Sequence, residues 1–120
     1  ATVFPVLVGD AQPEEVDALL EALWDGSTLL VVAANLSEGH EEARAREIDR
    51  ETMAAIEELR DGAIDRQSTT ARLPLGGAIR AVASRDGAIE SIDYRTSAGA
   101  AGGRRQVVGY GAFTLRSRYP

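Results

Sequence analysis

Thr28-Leu29-Leu30-Val31-Val32-Ala33-Ala34 is an uncharged run framed by Asp25-Gly26-Ser27 before it and Asn35 after it. A continuous apolar stretch of this length between turn formers predicts a strand covered on both faces, of the kind that sits centrally in a parallel-rich sheet. Upstream, Pro13 with Glu14 and Glu15 marks a helix start, since proline fits the first turn and carboxylates complement the positive end of the helix dipole. Val16, Leu19, Leu20 and Leu23 follow at helical spacing and Gly26 supplies a stop, so this helix is expected to reach about Trp24. Further upstream, Val3 to Val8 is β-branched and apolar and ends at Gly9-Asp10. It reads as a first buried strand, with Pro5 holding its early part at an edge or bend.

Downstream of the apolar run, Glu41 to Arg60 is densely charged, yet Ala45, Ile48, Thr52, Ile56 and Leu59 form one apolar stripe at helical spacing. A long amphipathic helix is expected there. Gly62 and the polar stretch Asp65 to Thr70 interrupt it, and Pro74 opens a shorter helix carrying Leu75, Ile79 and Val82. Arg85-Asp86-Gly87 makes a turn into a strand over Ala88 to Thr96, a small-residue loop covers Ser97 to Gly103, and Gln106 to Leu115 reads as the last strand. Gly109 and Gly111 in that strand predict a bulge or a close backbone approach. The expected fold is α/β: one domain over residues 1–120, with a mixed, mostly parallel sheet of about four strands and helices packed on its faces.

Composition narrows the function classes. A chain of 120 residues, 44% apolar and 27% charged, can build a core without staples. Nineteen acidic residues against thirteen basic give a net charge of −6, which opposes binding to phosphate backbones and anionic lipid, so neither nucleic acid nor membrane is an expected partner. With no cysteine there is no thiolate nucleophile and no cysteine-based metal site. No stretch approaches the roughly 20 apolar residues of a membrane helix, and the first residues lack the basic and long apolar regions of a secretory signal, so the cytoplasm is the expected location.

The segment Ala33-Ala34-Asn35-Leu36-Ser37-Glu38-Gly39-His40 falls where the expected central strand gives way to an expected helix, and open α/β sheets bind ligands at such strand ends. Asn35 or Ser37 also has the chemistry of a cap for the following helix. Glu38, His40, Glu41 and Glu42 are metal-capable types at a helix entrance that favours carboxylates in any case. His40 is the single histidine, so any general-base mechanism needing one must use it. The loop Ser97 to Gly103 lacks the lysine and the following helix of a phosphate loop, while Arg104 and Arg105 beyond it suit an anion or a partner's carboxylates.

Several stretches taken together resemble the C-terminal half of MEMO proteins. These are Val3-Phe4-Pro5-Val6-Leu7-Val8-Gly9, the strand and turn Val31 to Ser37, the helix Ala45 to Thr52 with Asp49-Arg50-Glu51-Thr52, and the ending Tyr94-Arg95-Thr96-Ser97 with Val107-Val108-Gly109-Tyr110-Gly111-Ala112-Phe113. Their order and spacing match across nearly the whole chain. The resemblance implies the α/β fold that MEMO proteins share with class III extradiol dioxygenases, which open catechol rings at a non-haem iron, and a family that includes the B component of the AmmeMemoRadiSam system. It also implies a degenerate metal site. The family's histidine ligands from the other half have no counterpart, and Asn35 and Glu38 stand where the family's pocket-facing Asp and His are. Leu75 falls at the position of a cysteine whose thiol lies at the metal, and Ala98-Gly99 replaces a small-Asp pair.

The resemblance therefore implies a non-catalytic MEMO-like binding or assembly module, without a cofactor, that self-associates or pairs with a chain like the MEMO N-terminal half. The alternative is a subunit of an extradiol dioxygenase-like enzyme, in which a partner's histidines join Glu38 with His40 or Asn35 to complete a non-haem iron site. A third reading is a metal-free pocket around Asn35, Ser37 and the Ser97 to Gly103 loop. The candidate pocket residues are Asn35, Ser37, Glu38, His40, Leu75 and Ser97, with Glu38 and His40 as the potential metal ligands and no catalytic residue assigned.

Overall fold

The computed structural model describes residues 2–65, 68–99 and 105–118. Helix α1 spans Pro13–Leu23, strand β1 Leu30–His40, helix α2 Glu42–Glu57, helix α3 Arg72–Ser84, strand β2 Ala88–Thr96 and strand β3 Val107–Arg116, with short 3-10 turns at Asp61–Ala63 and Ser97–Gly99. Local chemistry explains the boundaries. Pro13 occupies the first turn of α1, and the Gln12 backbone N–H donates to the Glu15 carboxylate at 3.1 Å, as in a capping box. The Asp25 carboxylate accepts from the Ser27 N–H at 2.9 Å, the Ser27 hydroxyl at 2.7 Å and the Thr28 hydroxyl at 2.9 Å, making the tight turn that launches β1. Those three donors, the Ser27 hydroxyl foremost, hold its carboxyl below the usual carboxylate range. The Glu41 side chain caps α2 by accepting from the Ala43 N–H at 2.8 Å.

The sheet has three strands in the order β1-β3-β2, and both pairings are antiparallel. Helices α2 and α3 pack on one of its faces. Ile56 from α2 and Leu75, Ala78, Ile79 and Val82 from α3 meet Ile89, Phe113 and Leu115 in the main core. Along β3 the inward residues Val107, Gly109, Gly111, Phe113 and Leu115 are all buried, alternating with less buried outward ones. Helix α1 packs chiefly on α3, bringing Trp24 into the core beneath the Arg85 guanidinium, 4.6 Å from the ring centroid.

Three fold expectations are corrected. The sheet is not a mostly parallel array of about four strands, because β1 takes the last strand as its hydrogen-bonded neighbour. Residues Val3 to Val8 form no strand and are exposed throughout; apolar, β-branched composition favours burial but supplies no partner ladder, and none runs beside this segment. The decisive run Thr28 to Ala34 is likewise not a central strand. From Leu30 it forms β1, an edge strand, with Leu30, Val32 and Ala34 half-buried and Val31 and Ala33 exposed on the opposite face. The hydrophobic pattern is that of a doubly covered strand, and among the described residues only one face of it is covered.

Candidate functional site

The segment Asn35 to His40 is not a strand-to-helix turn. It continues β1, and its departure from regularity lies in the register: Asn35 pairs with Tyr110, Glu38 with Val108 and His40 with Val107, so two successive irregularities interrupt the ladder. Gly39 supports this path with φ +80°, a left-handed conformation that glycine adopts without a Cβ penalty. The first irregularity places both Leu36 and Ser37 inside, opposite Gly109, although successive strand residues ordinarily face opposite ways. A bulge also takes a backbone N–H out of the ladder, and that donor requires another partner.

Asp49 supplies it. Its side chain, from the buried face of α2, is 0% exposed. Oδ1 accepts from the Ser37 backbone N–H at 2.9 Å and Oδ2 accepts from the Tyr94 hydroxyl at 2.5 Å. Tyr94 reaches across from β2, where it pairs with Gly111. The carboxylate fits because position 109 has no side chain: a Cβ there would overlap Asp49 Oδ2. One buried group therefore binds the helix to the bulge of β1 and to β2 over the backbone of β3. Burial, reinforced by the hydrogen bond and the negative charge of Asp49, raises the Tyr94 pKa well above the ordinary phenol value, and the hydroxyl stays a donor far into the alkaline range. Arg46 lies over the Tyr94 ring at 5.7 Å.

The candidate pocket residues take different places. Asn35 is exposed, and its carbonyl accepts from the Thr69 hydroxyl at 2.6 Å, while the Ala71 N–H donates to that hydroxyl at 3.0 Å and ties β1 to the entrance of α3. Asn35 and Ser37 therefore do not cap α2. Ser37 is buried, and among the described residues its hydroxyl has no hydrogen-bond partner. Glu38 is exposed and His40 half-buried. Leu75 belongs to the apolar core, beside a void of about 10 Å³ that is also lined by Ile56, Ile79, Ile89 and Phe113. Ser97 Oγ accepts from the Val108 N–H at 3.0 Å, closing the start of the β2–β3 connection. Residues 100–103 of the expected Ser97 to Gly103 loop, and Arg104 after it, lie outside the described residues; Arg105 is exposed.

Nucleophilic catalysis needs a hydroxyl within hydrogen-bond reach of a base that a third group orients. Asp49 binds the backbone of Ser37, not its hydroxyl, so the two do not form that nucleophile–base contact. Among the described residues no group of three His, Cys, Asp or Glu side chains is placed to hold a metal ion. Asp49 and Tyr94 were missed as interacting residues in the sequence. The available signal was an acid at i+4 from Ala45 and i−3 from Thr52, on the stripe that should be apolar.

The other feature of the site is the uncovered side of the sheet. Cross-strand rows there read Val31, Thr114 and Glu90; Ala33, Ala112 and Asp93; Asn35, Tyr110 and Arg95. The side is apolar or small along β1 and β3 and charged along β2. Val31 and Ile92 are each 51% exposed and Tyr110 43%. Among the described residues, no helix is long and apolar enough to cross a membrane. No protein-family model, curated protein or solved structure matches the chain.

Proposed function

We propose that the chain is a non-catalytic, MEMO-like assembly module that self-associates through the uncovered side of its sheet and the adjoining edge of β1. One observation carries the reading: Val31, Ala33, Ala112 and Tyr110 form a weakly polar surface next to a strand with a free edge. Contiguous exposed apolar surface of this kind marks association sites more often than solvent-facing sheet. A second copy is the favoured occupant because charge repulsion between two chains of net −6 is smallest where neither carries a charge, and Gly26 to Ser37 is such a stretch. The reading requires no cofactor, and the buried Asp49 serves to hold the helix layer against the sheet.

The test places a charge at the centre of this surface without touching the core. Ala112→Lys, on the outward side of β3, should weaken self-association by about tenfold or more, since an ammonium buried without a partner is costly, while circular dichroism and the unfolding midpoint stay near those of the parent. Unchanged association in the folded variant would sink the proposal.

A further inference from the structure

The two edges of the sheet differ in a way that selects one of them for strand addition. Strand β2, at one edge, carries Glu90, Asp93 and Arg95, the charged residues with which natural sheets guard an exposed ladder. Strand β1, at the other, runs from Leu30 to Ser37 without a charge or a proline. Its regular part, Leu30 to Asn35, ends where the first irregularity begins. The Asn35 carbonyl is already taken by the Thr69 hydroxyl, so the free edge is Leu30 to Ala34, about five residues long and unguarded.

The same chain contains a segment that matches it. Val3 to Val8 is long enough to span it, lies in an uncharged stretch that ends only at Asp10, and is rich in strand-forming types. It lies off the sheet with Leu7 100% exposed and Phe4 78% exposed, a cost that pairing would remove. Pro5 fixes the phase of any pairing. In a strand, successive residues direct their N–H and C=O to opposite sides, so Pro5 must face away from the ladder while Phe4, Val6 and Val8 face it. A proline on the outer side also blocks the next strand and closes the assembly.

We infer that Val3 to Val8 of a second copy adds as a strand to the free edge of β1, and that two copies exchange these segments about a two-fold axis. This rests on the assembly reading above and specifies what fills the edge. A reciprocal exchange satisfies both edges with identical contacts, as an isologous dimer requires, and backbone hydrogen bonds supply the recognition, as in other cases of strand addition.

The test combines sedimentation with cross-linking. Val6→Pro removes a donor that faces the ladder and should weaken dimerisation by about tenfold or more, counting the loss in both halves of the dimer; Val6→Ile keeps the N–H and the β-branched, apolar side chain and should stay within about threefold. Because the chain has no cysteine, Leu7→Cys/Ala33→Cys places its only two thiols, and a short bismaleimide should give a covalent dimer. A dimer indifferent to Val6→Pro would overturn the strand exchange and leave the assembly reading standing. An internally linked monomer would overturn it in favour of pairing within one chain. A parent chain that stays monomeric throughout would overturn both.

Discussion

A carboxylate removed from water is tolerated only when its oxygens meet donors, and Asp49 has one for each. Replacing it by alanine leaves the Ser37 N–H and the Tyr94 hydroxyl without that acceptor, at about 1–3 kcal/mol for each donor left buried and unpaired. Gly109→Ala should cost about 1–3 kcal/mol by overpacking, and the two losses should not add: with Asp49 shortened, the new methyl has room. A double-mutant cycle in urea checks this, and strict additivity would show that the carboxylate and Gly109 do not share the space. Tyr94→Phe should cost about 1.5–3 kcal/mol at neutral pH, the range for hydrogen bonds to charged groups. Its pKa is raised in the fold, so the native state holds the proton more tightly than the unfolded chain does. That contribution is fully present below the free-phenol value of 10.0 and is lost as pH rises beyond it. The sequence has neither lysine nor cysteine, so no side-chain amine or thiol contributes near that pH. The stability gap between parent and Tyr94→Phe should be flat up to about pH 9 and shrink above about pH 10; a gap unchanged into the alkaline range would contradict the assignment.

At the scale of elements, helices were legible and strand partners were not. Pro13 with two glutamates, the stripe through Ala45, Thr52 and Ile56, and Pro74 each placed a helix within a few residues, because caps and periodicity are local. Pairing is not local. The run from Leu30 to Ala34 announces burial but not which strand lies beside it, and Val3 to Val8 announces a strand while naming no neighbour. The bulge at Leu36 and Ser37 escaped because a polar, glycine-containing segment reads equally as a turn. Glycines 109 and 111 did signal close approach, and the atoms that approach are the Asp49 carboxylate and the side chains of Leu36 and Phe113. Burial accordingly reorders the expected costs of truncation. Ile56→Ala, at 1% exposed, should lose about 2–5 kcal/mol. Leu30→Ala, half-buried on the edge strand, should lose clearly less, and equal losses in chemical denaturation would mean that β1 is covered on both sides.

At the scale of the whole molecule, the main core lies between one sheet face and two helices, while among the described residues no layer covers the opposite face and no strand pairs with the outer edge of β1. The expectation of a doubly covered sheet came from the composition of β1, and the structure of one copy meets half of it. In the proposed assembly a second copy would supply the other half without any change to the sequence, in a chain whose charge of −6 discourages contact elsewhere. The most direct measurement is sedimentation equilibrium of the unmodified chain across the micromolar range. The account predicts a concentration-dependent mass that rises to twice the chain's 12.8 kDa and stops there. A mass that stays at 12.8 kDa over the whole range, with the sheet still folded, would contradict it.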